Sequence, residues 1–231
     1  MYGTHLPAFP HCAFTSLIAQ CLTPQECRSL LAFAGSHGEW EQALLSAYGG
    51  QKLDTSIRNS GRIMVDSRAV ADQLFERVRP FLEAEGLHVI RTRGAGAWES
   101  MRSHWLGSTP FAATRLNERL RFLRYGPGQY FKPHCDGSYI APETNERSLL
   151  TFHAYLGENG PGNEGGATSF FDGAGRKVMD VEPVQGRVLI FQHQWLVHSG
   201  EEVVKGLKYT VRTDIMYRSA PELEDEEEEG V

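Results

Sequence analysis

From residue 119 onward, the sequence breaks into short segments rich in β-branched and aromatic residues, each bounded by Gly or Pro turns. In the first of them, RLRFLRY, polar and apolar side chains alternate, which is typical of a strand with one buried face. The segments are 119–125, 148–156, 166–171, 187–193 and 208–217. So many short strands predict a double-sheet jelly roll rather than a parallel sheet.

Two helices precede these strands. Thr23 is a predicted N-cap, Pro24 takes the first helical position, and Glu26 completes a capping box. Residues 69–84 place apolar side chains on one side of a second helix. Residues 86–118 are Gly-rich and predict loops with short strands. We therefore expect an α+β fold, with a double-stranded β-helix (jelly roll) core flanked by N-terminal helices.

The chain of 231 residues, with 41% hydrophobic and 23% charged residues, is long enough for one globular domain with a sizeable core. We assign residues 1–220 to a single domain, with helical support over 13–85 and the jelly-roll core at about 119–218. The stretch ELEDEEEE is a block of like charge, so residues 221–231 are predicted to be an acidic disordered tail.

The net charge of −6 argues against a nucleic-acid partner, because proteins that bind polyanions usually carry a basic surface. A local basic rim is the alternative, and its candidates are Arg58, Arg62, Arg91, Arg93 and Arg102. The four cysteines lack metal-site spacing and are expected to be reduced thiols. No signal peptide or membrane span is evident, so we expect a cytoplasmic or nuclear protein without membrane association.

The stretch YFKPHCDGSY places His134 and Asp136 one residue apart, with Cys135 between them. In an extended strand, His134 and Asp136 share one face and Cys135 points to the other. An imidazole and a carboxylate on one face can hold one metal ion. The alternative is a turn formed by Asp136-Gly137-Ser138, with His134 at the surface.

A metal site needs a further ligand, and three other histidines, His153, His193 and His198, lie in the strand-rich half. Two histidines and one carboxylate that leave positions open are typical of non-haem iron(II) oxygenases. In the last strand, a run of four polar residues shares one face: Lys208, Thr210, Arg212 and Asp214. Cations that point into a closed jelly roll need a bound anion, whereas the alternative is a strand face exposed to solvent.

Three stretches, 121–139, 164–171 and 186–217, together resemble the iron(II)/2-oxoglutarate-dependent dioxygenases, and more narrowly their prolyl 4-hydroxylase-like branch. The resemblance covers about residues 119–217, and residues 59–82 are similar to the helical part of that branch. It depends on a combination: H-x-D, a distal His, a Lys ten residues after it, and a Tyr nine residues before the first His.

The resemblance implies a role for each matching residue. The iron ligands, which are also the catalytic residues, would be His134, Asp136 and His198. Lys208 would pair with the distal carboxylate of 2-oxoglutarate, and Tyr125 would hydrogen-bond the same group. The cosubstrate pocket would also include Thr168 and Tyr155. Arg212 would be either a second anchor or a substrate contact, while His153 and His193 do not match ligand positions.

The reaction implied by the resemblance is hydroxylation of a prolyl or other side chain in a protein or peptide. It would use iron(II), 2-oxoglutarate and dioxygen, with ascorbate as a candidate cofactor, and would release succinate and carbon dioxide. Tyr209 stands where many collagen-type relatives have Trp, which argues against collagen as the substrate.

Two alternatives stay open. One is hydroxylation of a free amino acid or small secondary metabolite, because the fold does not determine the substrate. The other is a non-catalytic jelly-roll module that binds metal for structural reasons. The intact set of His134, Asp136, His198 and Lys208 favours an enzyme over this module. Neither the oligomeric state nor the loops that close over the site follow from the sequence.

Overall fold

The computed structural model describes residues 3–5, 15–47, 50–90, 109–158 and 162–221. Two helices support the strands, α1 (Pro24–His37) and α2 (Arg68–Ala84). Thr23 Oγ1 accepts a hydrogen bond from the amide of Glu26, and the Glu26 carboxylate accepts one from the amide of Thr23. This reciprocal pair satisfies two amides that the helix leaves unbonded, which confirms the predicted start of α1.

The strands are listed here in chain order: β1 (Gly3–His5), β2 (Thr15–Ile18), β3 (Glu41–Gln42), β4 (Leu45–Ala47), β5 (Gly50–Lys52), β6 (Arg58–Asn59), β7 (Gly61–Asp66), β8 (Val89–Ile90), β9 (Phe111–Leu116), β10 (Arg119–Tyr125), β11 (Tyr130–His134), β12 (Arg147–Tyr155), β13 (Glu164–Gly165), β14 (Thr168–Phe171), β15 (Lys177–Val181), β16 (Val188–Gln192), β17 (His198–Gly200), β18 (Val203–Lys205) and β19 (Lys208–Ser219).

Two antiparallel sheets form the core of the described chain. The larger sheet has the order β1-β2-β16-β12-β19-β10-β7-β3, and β9 pairs with both β19 and β8. The smaller sheet has the order β15-β14-β17-β11-β6. Two hairpin-like pairs, β13 with β18 and β4 with β5, lie outside these sheets. Strands distant in sequence are neighbours in both sheets, as the jelly-roll prediction requires.

The alternation of side chains along the larger sheet separates its two faces. Phe152 and Ala154 of β12, together with Val211 of β19, belong to the apolar cluster that packs against α1 and α2. Tyr155 of β12 and Phe191 of β16 instead pack in the second cluster, which includes side chains of the smaller sheet. Because the pleat has a period of two residues, the intervening side chains of β12 and β19 point toward the smaller sheet.

The polar residues of β19 therefore face the space between the two sheets. Lys208, Thr210 and Asp214 are buried there, and Arg212 is mostly buried. The alternative of a solvent-exposed strand face is wrong, because α1 and α2 cover one face of this sheet and the smaller sheet lies against the other.

The helical support predicted over residues 13–85 is only partly helical. Strand β2 extends the larger sheet beside β16, and β7 joins it beside β10. Both are edge-region strands that gain their partners from distant parts of the chain, so local periodicity does not reveal them. Strands β8 and β9 agree with the short strands predicted within 86–118.

Several predictions concern residues that the structure does not describe. Most of the acidic tail lies among these, as do Arg91, Arg93 and Arg102 of the basic-rim alternative. The single domain over residues 1–220 stays a prediction. No helix in the described parts of the chain is long and apolar enough to cross a membrane.

Candidate active site

The antiparallel pairing of β11 with β17 brings two of the three predicted ligands together. His134 ends β11, His198 begins β17, and the two residues are direct partners across the strands. Asp136 follows β11 outside any strand. The expectation that His134 and Asp136 share one strand face is therefore wrong, because the chain leaves the strand after His134 and turns the carboxylate back toward it. Cys135 is exposed rather than buried in the core.

Three ligand atoms converge between the sheets. Asp136 Oδ1 lies 3.7 Å from His134 Nε2 and 3.6 Å from His198 Nε2. The ligand atoms offered by these three residues all lie within 4.8 Å of one another. Asp136 Oδ1 is buried and has no partner in hydrogen-bond geometry, although Arg212 Nη1 lies 2.8 Å away as an ion-pair partner. A buried carboxylate oxygen beside two imidazole nitrogens fits a divalent metal ion with open coordination positions.

Both imidazoles are oriented by the backbone. His134 Nδ1 lies 2.8 Å from the carbonyl oxygen of Lys132, and His198 Nδ1 lies 3.1 Å from that of Leu196. Because a carbonyl only accepts, each Nδ1 carries the proton and each Nε2 keeps its lone pair. Such bonds fix the tautomer that a metal ligand needs.

Two consecutive hydrogen bonds, through Thr151 and His193, orient the Asp136 carboxylate on the side away from the imidazoles. Thr151 Oγ1 donates to Asp136 Oδ2 at 2.6 Å and lies 2.9 Å from His193 Nδ1. Since the single hydroxyl proton goes to Asp136, the Thr151 oxygen accepts the proton of His193 Nδ1. Sequence reasoning missed these two hydrogen bonds; their one signal is that Thr151 lies on the same β12 face as His153 and Tyr155.

The electrostatics of the pocket favour the protonation states that bind metal. Burial, together with the neighbouring His198, lowers the pKa of His134 to about 3, so the imidazole is neutral. Burial opposes ionisation of Asp136, but Arg212 and the two imidazoles outweigh it and hold the pKa of this carboxyl well below its ordinary value. Metal ligands must be deprotonated, so neutral His134 and ionised Asp136 suit that role.

Aromatic rings pack against both histidines. The ring of Phe131 stacks on His134 with centroids 3.5 Å apart, and Phe191 meets His198 edge-on at 4.7 Å. The guanidinium of Arg58 lies over the ring of Phe131, 4.6 Å from the ring centroid. The sequence analysis proposed Arg58 only as part of a basic rim, whereas the structure places it in the wall of this pocket.

Lys208 lies at the far end of the same pocket. Its ammonium is 5.3 Å from the ring centroid of Tyr125 and 5.7 Å from that of Tyr155. No carboxylate of the described residues lies within ion-pair distance of it. Burial lowers the pKa of Lys208 to about 8, although Glu201 and Glu182 raise it. A buried ammonium without an ion-pair partner is costly unless an anion binds there.

The other predicted cosubstrate contacts surround this lysine. Tyr125 and Thr168 line the pocket with Lys208. Tyr155 is fully buried behind them, and its hydroxyl donates to Thr168 Oγ1 at 2.7 Å. The structure thus brings four of the five predicted cosubstrate residues to one end of the pocket.

The fifth, Arg212, lies at the opposite end. Its Nη1 is 2.8 Å from Asp136 Oδ1, and its Nη2 is 3.7 Å from Asp214 Oδ1. Arg212 therefore neutralises the carboxylate that would hold the metal. The pocket that these residues line has a volume of about 30 Å³.

The remaining histidines do not join the three ligands. His193 bonds Thr151, and His153 lines the pocket opposite Arg212 in the strand pairing. The imidazole of His153 packs edge-on against Tyr155 at 4.9 Å, and its Nε2 has no hydrogen-bond partner among the described residues.

Comparison with known proteins agrees with this arrangement. The model of the 2OG-Fe(II) oxygenase superfamily matches residues 120–214, which contain all three metal-ligand candidates and Lys208. No curated protein is similar enough in sequence to match the chain.

Solved prolyl hydroxylases have the same fold. A prolyl-4-hydroxylase from Pseudomonas putida is 20% identical, with a TM-score of 0.54 over 87% of this chain and 91% of that one. A viral collagen prolyl hydroxylase from Paramecium Bursaria Chlorella virus-1, in complex with 2OG, is 18% identical, with a TM-score of 0.52 over 88% and 96%. A prolyl hydroxylase from Trichoplax adhaerens, in complex with a hypoxia inducible factor peptide fragment, is 15% identical, with a TM-score of 0.55 over 87% and 82%.

Proposed function

We propose that this protein, a 2-oxoglutarate-dependent dioxygenase with a prolyl 4-hydroxylase-like fold, hydroxylates a prolyl or other side chain of a protein or peptide. One observation carries the assignment of its site. The same pocket holds a buried carboxylate between two imidazoles at one end and a buried ammonium that no carboxylate of the described residues pairs with at the other. That pairing suits a metal ion and a dicarboxylate that spans the distance between them.

Iron(II), when bound with 2-oxoglutarate and dioxygen, supplies the oxidising chemistry, in which succinate and carbon dioxide are released and one oxygen atom enters a substrate C–H bond. The residues of the chain that would hold it are His134, Asp136 and His198. The carbonyl acceptors at Nδ1 keep both Nε2 lone pairs directed inward. Thr151 occupies the other carboxylate oxygen, so Asp136 offers Oδ1 alone.

Lys208 would pair with the distal carboxylate of 2-oxoglutarate. Tyr125 and Thr168 would provide hydroxyl groups beside that carboxylate, and Tyr155 would hold Thr168 in place through its hydrogen bond. The second role considered for Arg212, a contact to substrate, fits its position better than a distal anchor, because its guanidinium lies at Asp136. Ascorbate stays a prediction.

The proposed peptide substrate is supported by the fold shared with hydroxylases, one of which was solved with a peptide fragment. A free amino acid or small metabolite is the alternative substrate. The two are separated by offering both classes to the iron-loaded enzyme, and the product is a mass increase of one oxygen that depends on iron and 2-oxoglutarate.

The first test is an anaerobic titration of metal-free protein with iron(II) and then 2-oxoglutarate. We expect a weak visible absorption band that requires both additions. Lys208→Ala should weaken 2-oxoglutarate binding roughly 10- to 100-fold, the worth of a hydrogen bond to a charged group. Lys205→Ala, which removes an exposed lysine from β18, is the matched control.

Two results would contradict the proposal. Folded, iron-loaded protein that gives no band with 2-oxoglutarate would favour the non-catalytic metal-binding module. Lys208→Ala with unchanged 2-oxoglutarate affinity would remove Lys208 as the anchor and leave Arg212 as the remaining candidate.

A further inference from the structure

The pocket carries more positive charge than the metal and cosubstrate can use. Its described lining includes three cationic side chains, those of Arg58, Lys208 and Arg212. Asp136 is the single carboxylate in the same lining. Among the lining residues, cations therefore outnumber carboxylates by two, and by one when Asp214, which lies 3.7 Å from Arg212, is counted with them.

Loading the pocket does not remove this surplus. Iron(II) adds two positive charges, and 2-oxoglutarate adds two negative charges, so their sum is zero. Metal binding also engages Asp136 Oδ1, the atom that Arg212 now contacts at 2.8 Å. Like charges held close together in a poorly hydrated site repel one another, and a bound anion relieves that repulsion.

Arg58 is the cation best placed to receive such an anion. It lies on β6, directly across from Phe131 of β11, and its guanidinium covers the Phe131 ring. Because Phe131 in turn stacks on His134, Arg58 lies one aromatic ring away from the metal-ligand candidates. Arg58 is half-buried, whereas Lys208 is buried at the closed end, so Arg58 is reachable from solvent.

The guanidinium of Arg58 has no carboxylate within 4.0 Å among the described residues. Its Nε donates to Ser60 Oγ at 3.3 Å, and Tyr125 is a further hydrogen-bond partner. Burial lowers the pKa of Arg58, and nearby Arg212 adds to that effect, while Tyr125 and Asp136 oppose it. Because a guanidinium has about five donors in a planar fork, it can still pair with a carboxylate through two parallel hydrogen bonds.

We propose that the substrate presents a carboxylate to Arg58, which places a neighbouring C–H bond over the metal site. This inference rests on the proposed dioxygenase function and specifies its substrate class as anionic. Two sources offer the same chemistry: an acidic residue or C-terminus of a peptide, and the carboxylate of a free amino acid or other small acid.

The test offers paired carboxylate and carboxamide probes to the protein. For a small-molecule substrate, L-proline is compared with L-prolinamide. For a peptide substrate, end-capped peptides in which Asp or Glu flanks a proline are compared with the same peptides in which Asn or Gln takes that place. Binding is measured by calorimetry on protein loaded with Mn(II) and 2-oxoglutarate. Succinate release and product mass are measured on the iron-loaded enzyme in air.

We expect the carboxylate member of at least one pair to bind and react better than its amide. Arg58→Gln should weaken binding of that probe roughly 10- to 100-fold and abolish the preference for the carboxylate, while 2-oxoglutarate affinity should fall by less than Lys208→Ala lowers it. Arg58→Lys should restore part of the preference, because the charge remains while the fork geometry is lost. Arg124→Gln is the matched control, since it removes a guanidinium that lies over Trp40, outside the pocket.

The inference is overturned if amide probes bind and react as well as the carboxylate probes, or if Arg58→Gln leaves the preference for the carboxylate unchanged. It is also overturned if no carboxylate probe binds to protein that binds 2-oxoglutarate normally. A protein that fails to bind 2-oxoglutarate contradicts the proposed function instead, so the two failures are distinguishable. The class of probe that binds, free L-proline or the acidic peptides, identifies the source of the carboxylate.

Discussion

Thr151 donates its hydroxyl proton to Asp136 Oδ2 at 2.6 Å, and this bond determines which carboxylate oxygen faces the two imidazoles. With Oδ2 occupied, Oδ1 is left 3.6 and 3.7 Å from the Nε2 atoms of His198 and His134. Both Thr151 and Asp136 are buried, so water does not compete for the bond. The pair therefore acts as a support that orients one candidate ligand before any metal binds.

Thr151→Val should weaken metal binding roughly 10- to 100-fold, as is typical when a group that orients a ligand is removed. The measurement is a titration of metal-free protein with Co(II) or Mn(II). Thr213→Val is the control, because this buried hydroxyl donates to the carbonyl of Asn117 and not to the site. Equal metal affinity in the two variants would mean that Thr151 does not orient Asp136.

Binding of 2-oxoglutarate should weaken at alkaline pH. Burial lowers the pKa of Lys208 to about 8, so above that pH the free enzyme increasingly holds a neutral amine. The apparent Kd should then rise about tenfold for each further pH unit, because the anion binds the charged form.

The control for this pH dependence is Lys208→Arg, since a guanidinium stays charged over the whole range. Its Kd for 2-oxoglutarate should be nearly independent of pH between 7 and 10, whatever its absolute value. A wild-type Kd that is flat across pH 8 would show that Lys208 does not carry the titrating charge.

The metal-free protein should lose stability at acidic pH. Burial lowers the pKa of His193 from 6.5 to about 4, although Asp214 and Asp136 raise it. The unfolded chain takes up a proton below pH 6.5, whereas the folded chain does so only near pH 4. Stability is thus complete above pH 6.5 and falls between pH 6.5 and 4, by on the order of 3 kcal/mol for this group.

Denaturant unfolding of the metal-free protein at a series of pH values measures this loss. His193→Asn keeps an amide that can donate to Thr151 but cannot gain a proton, so its unfolding free energy should depend less steeply on pH. His134, whose pKa is also lowered, still titrates in the variant, so part of the slope remains. An unchanged slope would contradict the assignment to His193.

Gly186→Ala should destabilise the fold by several kcal/mol. Gly186 has φ of +80°, and a Cβ there would lie 2.1 Å from the carbonyl oxygen of Leu22. That oxygen belongs to backbone which bonds Gly186, so it cannot simply move away. Gly175→Ala is the control: its φ is +76°, but a Cβ would meet nothing within 4 Å, so only the backbone cost of about 1–2 kcal/mol applies. Thermal or denaturant unfolding compares the two, and equal losses would exclude the clash.

The start of α1 and the main strands of the core could be predicted from local sequence, through capping at Thr23 and alternation in β10. The pairing of His134 with Asp136 was suggested by their spacing. The choice of His198 among three histidines, and the role of Lys208, came from the family resemblance, because no local pattern distinguishes them. Signals of the first kind lie within a few residues, so they can be read before the chain is folded.

How these residues meet depends on the folded chain. The parity of an extended strand gave the wrong reason for the approach of Asp136 to His134, because the strand ends at His134 and the pairing with β17 closes the site. The bonds from His193 to Thr151 and from Thr151 to Asp136 join residues that are 42 and 15 positions apart. The position of Arg58 above Phe131 depends on the pairing of β6 with β11. Contacts of this kind arise from sheet register, which is set by the packing of the whole core rather than by local sequence.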